Sequence, residues 1–207
     1  MLNIIGGFLS RVQAPPHTHV DRPFLLGVIG NLGSGKSTVA QLLTLHLRGS
    51  VVVSANSARY LLKQRGLPWG DNVRHVVREV AHDLLFIGRI VILDGSNADP
   101  DERHRNKALG ELMGIPVRYI RLKTPYELCR TREQVKYDDQ TWISSFEQFR
   151  VGSTDRMLLN LDKRRKLHDA LRDEDIEGLV GSLTNAGTLE DLESEVRALA
   201  PKILASL

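Results

Sequence analysis

From Phe24 onward the chain alternates short apolar runs with longer stretches in which apolar residues recur every three or four positions. The run FLLGVI closes on Gly30, and the segment after Lys36 places Val39, Leu42, Leu43 and Leu47 on one helical stripe. A β-branched run, VVV at 51–53, predicts a second strand, and ARYLLKQR predicts a helix stopped by Gly66. Next comes an amphipathic helix with Val73, Val76, Val77, Val80, Leu84 and Leu85 on one face and Asp71 or Asn72 at its start. IVILD at 90–94 is a third strand, and PDERHRNKALGELM a helix ended by Gly114. VRYIRL at 117–122 is a fourth strand, and PYELCRTRE begins a further helix. The last third is more helical and closes with a strand at 179–183 and a helix whose start is marked by Thr188 with Asp191 three residues on. Short apolar strands alternating with helices require a parallel sheet, because each crossover helix covers a sheet face. The expected class is α/β, a doubly wound parallel sheet of about five strands.

Composition narrows the picture by exclusion. Among 207 residues, 42% hydrophobic and 26% charged is globular usage, which rules out disorder as the main state. The longest apolar runs fall well short of the roughly 18 residues that cross a bilayer, so a soluble, cytoplasmic protein without a membrane partner is expected. MLNIIGGFLS lacks a basic leading region and a small-residue cleavage site, so residues 1–23 are read as an arm and a Pro-rich linker whose His17 and His19 are solvated. Residues 24–207 form the main domain. The single cysteine, Cys129, permits no disulfide within the chain and no cysteine metal cluster. A net charge of +3 permits an anionic partner without selecting one, and leaves the oligomeric state open.

Chemistry enters at residues 30–37, GNLGSGKS, which fit G-x-x-x-x-G-K-[ST] without a mismatch. Gly30, Gly33 and Gly35 allow a tight wrap, so the backbone N–H groups of Asn31, Leu32, Ser34 and their neighbours turn toward phosphate oxygens at a helix N-terminus. Lys36 would reach the β- and γ-phosphates, Ser37 would ligate magnesium, and Thr38 would add a hydroxyl near the α-phosphate. The loop sits between an apolar strand and an amphipathic helix, as the motif requires. Asp94, closing the third strand, is the candidate acidic partner for Mg²⁺.

With these motifs the chain resembles the P-loop kinases of small molecules and nucleotides, a group that includes nucleoside-monophosphate kinases, dephospho-CoA kinases and polynucleotide 5′-hydroxyl kinases. VVVSANSARYLLKQRGL is similar to the segment written S-x-D-x-x-R, which places Ser54, Asn56 and Arg59 at acceptor-binding positions. VILDG resembles the third-strand motif of dephospho-CoA-kinase-like proteins, and TNAGTLEDLESEV the segment beside the adenine pocket. The resemblance implies strand order 2-3-1-4-5, ATP and Mg²⁺ as cofactors, a helical lid or insertion at about 124–175, and transfer of the γ-phosphoryl group. Lys36, Arg59, Arg130 and Asp94 would carry catalysis. Arg130, Arg132 and Lys136 are the lid candidates, with Arg130 foremost.

Asn56 departs from the pattern. Where the motif has an aspartate that takes the acceptor's proton, an amide has no such basicity. A phosphate acceptor is already anionic, so a nucleotide-like or other phosphorylated small acceptor fits better than a free hydroxyl. Asp94 or Asp99 is an alternative base. A nucleotide-binding regulatory module without turnover, and a polynucleotide 5′-hydroxyl kinase-like enzyme, are the competing readings; nucleic acid is not favoured. A motor or switch NTPase is the least favoured, since the chain is short for a hexameric ATPase and has no N-K-x-D motif. Arg103, Arg105 and Lys107 either line the acceptor side or form a solvated helix face, and the basic run Lys163, Arg164, Arg165 and Lys166 either binds phosphate or is solvated; the solvated reading is favoured for both. Trp69 and Trp142 are too few for an aromatic nucleic-acid platform.

Overall fold

The computed structural model describes residues 19–95, 97–138 and 154–207, with the side chains at 136–138, 154–158 and 160 left aside. Most of the expected arm, the Lys136 side chain and Trp142 therefore lie outside the described residues.

Five parallel strands form one sheet: β1 (Leu25–Ile29), β2 (Ser50–Ser54), β3 (Ile90–Asp94), β4 (Val117–Lys123) and β5 (Leu179–Thr184). Their order is β2-β3-β1-β4-β5, the doubly wound arrangement expected. Two strands run longer than their apolar cores. Ser50 and Ser54 join β2 because they pair with Ile90 and Asp94, and Thr184 joins β5 opposite Lys123. Ladder bonds are made by the backbone, so polar end residues extend a strand that hydrophobicity alone would stop.

Seven helices lie among the described residues: α1 (Lys36–His46), α2 (Ala55–Gln64), α3 (Asp71–Phe86), α4 (Pro100–Met113), α5 (Tyr126–Asp138), α6 (Thr154–Ala170) and α7 (Leu189–Ala205). Successive side chains of a strand point to opposite faces, and the two resulting sets build two cores. Leu25, Val51, Val53, Val91 and Leu93 pack with Leu61 and Leu62 of α2 and with Val73, Val76, Val80 and Leu84 of α3. Leu26, Val28, Ile90, Ile92, Ile120 and Leu122 pack with Val39 and Leu43 of α1 and with Leu192, Val196, Leu199 and Ile203 of α7. β1, buried throughout, lies at the centre of the sheet and belongs to both. Among the described residues no helix is long and apolar enough to cross a membrane.

Local chemistry sets the helix starts. Ser54 caps α2 by accepting from the Asn56 N–H, and Asp99 caps α4 by accepting from Asp101. Thr188 and Asp191 bond reciprocally in the capping box that the sequence marks at α7. Because β1 has neighbours whose connections leave on opposite sheet faces, a crevice opens at the carboxyl ends of β1 and β3. Gly30 and Asp94 both line the cavity at this edge.

Candidate active site

The glycine loop leaves β1 and feeds α1. Gly33 has φ +69°, and a Cβ there would stand 2.3 Å from the Cys129 carbonyl oxygen, so only glycine fits. Gly35, at φ 96°, is the αL residue that opens α1, and its N-cap has no side-chain hydrogen bond. The N-terminal N–H groups of α1 are thus left facing the loop, where an anion is favoured by both hydrogen bonding and the helix dipole. The Lys36 ammonium reaches back 2.7 Å to the Asn31 carbonyl, and Asn31 Oδ1 accepts from the Leu32 N–H at 2.8 Å.

The loop is held from behind by two later segments. Thr124 donates to the Ser34 carbonyl at 3.0 Å, and Asn185 Nδ2 donates to the same oxygen at 2.8 Å. Asn185 belongs to TNAGTLE, the segment that resembles the one beside the adenine pocket, and it is buried against the phosphate loop. Its Oδ1 accepts from Arg132 Nη2 at 3.4 Å. Arg132 Nη1, buried beside Gly35, has no hydrogen-bond acceptor among the described residues. A buried cationic donor next to a ring of helix N–H groups suits an anionic nucleotide tail.

At the end of β3, Asp94 Oδ2 accepts from Ser37 Oγ at 2.7 Å and from Ser54 Oγ at 3.3 Å. Three residues distant in sequence are therefore joined across the tips of β2, β3 and α1. The pair Ser37 and Asp94 is an all-oxygen donor set, the chemistry Mg²⁺ prefers when phosphates and water complete its shell. Ser54 also caps α2, so one hydroxyl orients both the carboxylate and the start of that helix. One turn into that helix, Arg59 Nη1 donates to Asn56 Oδ1 at 2.6 Å. The amide aims the guanidinium without neutralising it.

Beyond Asp94 lies a cavity of about 510 Å³. Its lining includes the apolar side chains of Val53, Trp69, Val73, Val77, Leu93 and Leu109. It also includes Arg59, Arg74, Arg78, Arg105 and Arg164, against Asp94, Asp99 and Glu102. Glu102 is shared between Arg74 at 2.8 Å and Arg105 at 3.0 Å, so those two arginines are compensated. Burial, then the charge of Arg164, lowers the Arg59 pKa to about 10, although Asp94 opposes the shift. Burial also lowers the Arg164 pKa, with Asp99 and Glu133 opposing the shift. His168, one turn further along α6, is pushed down to about 4 by burial and by Lys36, Arg121 and Arg164. It is a neutral imidazole at pH 7.

The solvated reading of the second basic run holds for Lys163, Arg165 and Lys166 and is corrected for Arg164. Leu161 is fully buried, Arg164 and His168 line the cavity, and Lys163 and Lys166 are exposed. The helix is docked by Tyr126 of α5, whose hydroxyl bonds Asp162 and whose ring lies 4.3 Å beneath the Arg165 guanidinium. The spacing of 161, 164 and 168 is one helical face, a signal present in the sequence but masked by four consecutive cations. The first cluster is also less solvated than expected. Arg103 holds the Ala98 carbonyl at 2.6 Å, Arg105 faces the cavity, and only Lys107 makes an exposed ion pair, with Glu177.

The described residues thus bring Gly30, Ser37, Ser54, Asn56, Arg59 and Asp94 to one edge. Arg130 lies outside the cavity lining, with half its side chain exposed and Glu127 3.9 Å away. Arg132, on the same helix, reaches Asn185 behind the loop. Asn97, which sequence reasoning missed, is buried after β3 and donates to the Val28 carbonyl at 3.1 Å and the Leu93 carbonyl at 2.9 Å. It ties the ends of β1 and β3 together beneath the site.

Comparison with known proteins agrees with this fold. A family model described as an AAA domain matches residues 25–171. No curated protein matches the chain. Among solved structures, a protein from Chloroflexus aurantiacus is similar at 18% identity and TM-score 0.64, covering 86% of this chain and 98% of its own. A structure of the PezAT chromosomal toxin–antitoxin system of Streptococcus pneumoniae is similar at 15% identity and TM-score 0.60, covering 99% and 93%. A gluconokinase from Sinorhizobium meliloti is similar at 13% identity and TM-score 0.53, covering 90% and 95%.

Proposed function

Since the chain belongs to the AAA-domain family of P-loop NTPases, we propose that it is an ATP- and Mg²⁺-dependent kinase that phosphorylates a small acceptor bearing an anionic group, nucleotide-like or otherwise phosphorylated. The observation that carries this reading is that Asp94, bonded by Ser37 of the phosphate loop's helix, lines with Gly30 a cavity whose lining holds more arginines than acids. The kinase-like fold supports nucleotide binding and kinase-type chemistry.

On this reading the loop N–H groups and Lys36 bind the nucleotide phosphates, and Thr38 stands at the start of α1 beside them. Ser37 and Asp94 would hold Mg²⁺, which when bound neutralises charge on the β- and γ-oxygens. Ser54, Asn56 and Arg59 bind and orient the acceptor, while α5 supplies the lid cations Arg130 and Arg132 over the transferring group. An oxygen of the acceptor's phosphate bonds to the γ-phosphorus as the bond to the β,γ-bridging oxygen breaks and ADP leaves. Such a nucleophile carries no proton, so Asn56 need not take one. Catalysis then rests on positioning and electrostatics. Residues 24–207 would be the kinase domain, with the lid within about 124–175.

Lys36→Ala is expected to lower phosphotransfer at least 100-fold across a panel of nucleotides, dephospho-CoA and 5′-hydroxyl oligonucleotides. Full activity in that variant would show the site assignment to be wrong. Asn56 favours a second reading, a nucleotide-binding module without turnover. ATP binding with no transfer to any member of the panel supports it.

A further inference from the structure

α6 is held at two places by different means. Midway along, Tyr126 of α5 holds Asp162 and Arg165; at its carboxyl end the contacts come from the sheet. We infer that Arg121 of β4 and Asp173, just beyond α6, are a positioning pair that sets the cavity-lining side of α6 in register with the phosphate loop. Giving that register a part in phosphotransfer rests on the kinase reading above; the pair itself rests on its contacts.

Asp173 collects donors from two strands. Arg121 Nη1 reaches its Oδ1 at 2.5 Å, Lys123 Nζ its Oδ2 at 2.8 Å, and Ser182 Oγ of β5 the same Oδ2 at 3.2 Å. Arg121 turns the other arm of its fork onto α6 itself, where Nη2 donates to the His168 carbonyl at 2.9 Å. α6 ends at Ala170, so this carbonyl is among the last four, which a helix leaves without a partner of its own. A cation placed there also meets the negative end of the helix dipole. The planar guanidinium holds a carboxylate and a carbonyl at once, a geometry that an ammonium on a flexible stem reproduces less well. The Arg121 side chain is only 14% exposed, which sets the pair apart from surface ion pairs that contribute almost nothing.

Both sides of this staple lead to the site. His168, whose carbonyl Arg121 holds, lines the cavity together with Arg164 and Leu167 of the same helix. On the sheet side β4 ends at Lys123, whose carbonyl accepts from the Asn185 N–H at 3.1 Å. The next residue, Thr124, donates to the Ser34 carbonyl of the phosphate loop, and the Asn185 side chain donates to that same oxygen. Residues 121–124 therefore support the loop and the end of α6 from one short piece of backbone. Where that piece sits fixes how far the α6 side of the cavity stands from the loop.

Asp173→Ala and Arg121→Gln, made in the full chain, test the pair. Hydrogen exchange read by mass spectrometry should rise at least tenfold over the last two turns of α6 in both variants and stay as in wild type over α1 and α7. NMR titration of His168 adds a sign that charge alone cannot produce. Loss of the Asp173 anion would by its field make the imidazole harder to protonate. A loosened α6 hydrates a ring whose pKa of about 4 comes first from burial, with Lys36, Arg121 and Arg164 adding to it and Asp169 opposing. The His168 midpoint in Asp173→Ala should therefore rise, by about one pH unit or more. Affinity for Mg²⁺ with the ATP analogue AMPPNP, by calorimetry, should stay within twofold, because Thr124 and Asn185 still brace the loop. KM for an acceptor of the panel that wild type phosphorylates should rise at least fivefold. Arg197→Gln, which removes an exposed ion pair on α7, should change none of these. The inference is overturned if α6 exchange is unchanged, if the His168 midpoint stays or falls, or if exchange rises equally over all helices, the mark of general destabilisation. A raised KM with unchanged exchange would make Arg121 a direct ligand contact and also overturn it. Should Arg121→Gln fail to fold, Arg121→Lys and Asp173→Ala decide, and wild-type exchange in both rejects the pair. If wild type phosphorylates no member of the panel, the kinase reading fails while exchange and titration still decide the pair.

Discussion

Lowering the pH from 7 to 5 removes about 2 kcal/mol of stability through His168 alone, provided its pKa moves from the ordinary 6.5 to about 4 on folding. The unfolded chain takes up a proton as the pH falls below 6.5, and the folded chain resists until about 4. A depressed basic group therefore contributes no penalty above pH 6.5 and costs progressively more between 6.5 and 4, where the full difference reaches about 3 kcal/mol. The cause is burial first, then Lys36, Arg121 and Arg164, with Asp169 the opposing charge. Urea unfolding of wild type and His168→Gln at pH 7 and pH 5 isolates the effect, since other titrating groups cancel in the double difference. Wild type should lose about 2 kcal/mol more than the variant, a gap of roughly 4–8 °C in Tm for a domain of this size. Equal losses in the two proteins would refute the reasoning. Saturating nucleotide should shrink the gap, because phosphates beside Lys36 offset the field that holds the imidazole neutral.

Gly33→Ala places a Cβ 2.3 Å from the Cys129 carbonyl at a positive φ; nucleotide affinity measured by calorimetry is expected to fall at least tenfold, and wild-type affinity would show that the loop is not so confined. Asn97→Ala leaves the Val28 and Leu93 carbonyls without their side-chain donor beneath the site, and should cost about 2–3 kcal/mol in urea unfolding. Asn56→Asp supplies a carboxylate beside Arg59; turnover of a 5′-hydroxyl acceptor should rise in this variant while turnover of a phosphate acceptor does not, and the opposite ranking would refute a proton-accepting role for a carboxylate at position 56.

Much of the sheet was legible because a half-buried or buried strand writes its own period. β1 and β3 are continuous apolar runs because both of their faces are covered, and their ends are marked by Gly30 and Asp94. β2 was read short, since Ser50 and Ser54 pair through the backbone and carry no hydrophobic signal. Arg164 was hidden for a related reason. Charge identity was read from four adjacent cations, whereas its environment depends on which face of α6 turns inward, and that is set by Leu161 and by the Tyr126 contacts from another helix. Asn97 and Asn185 look like ordinary turn residues until the carbonyls they hold, Val28, Leu93 and Ser34, arrive from elsewhere in the chain.

The sequence by itself determined the parallel α/β class and the phosphate loop, because alternation and the spacing of three glycines, a lysine and a serine act over a few neighbouring residues. Only the tertiary structure decided what lies opposite that loop. The cavity joins side chains of α2, α3, α4 and α6 whose separation in sequence exceeds any local period, and its charge is a sum over elements brought together by packing. Arg59 could be named from a motif; that Arg164 and a neutral His168 stand with it follows from the docking of one helix distant in the chain.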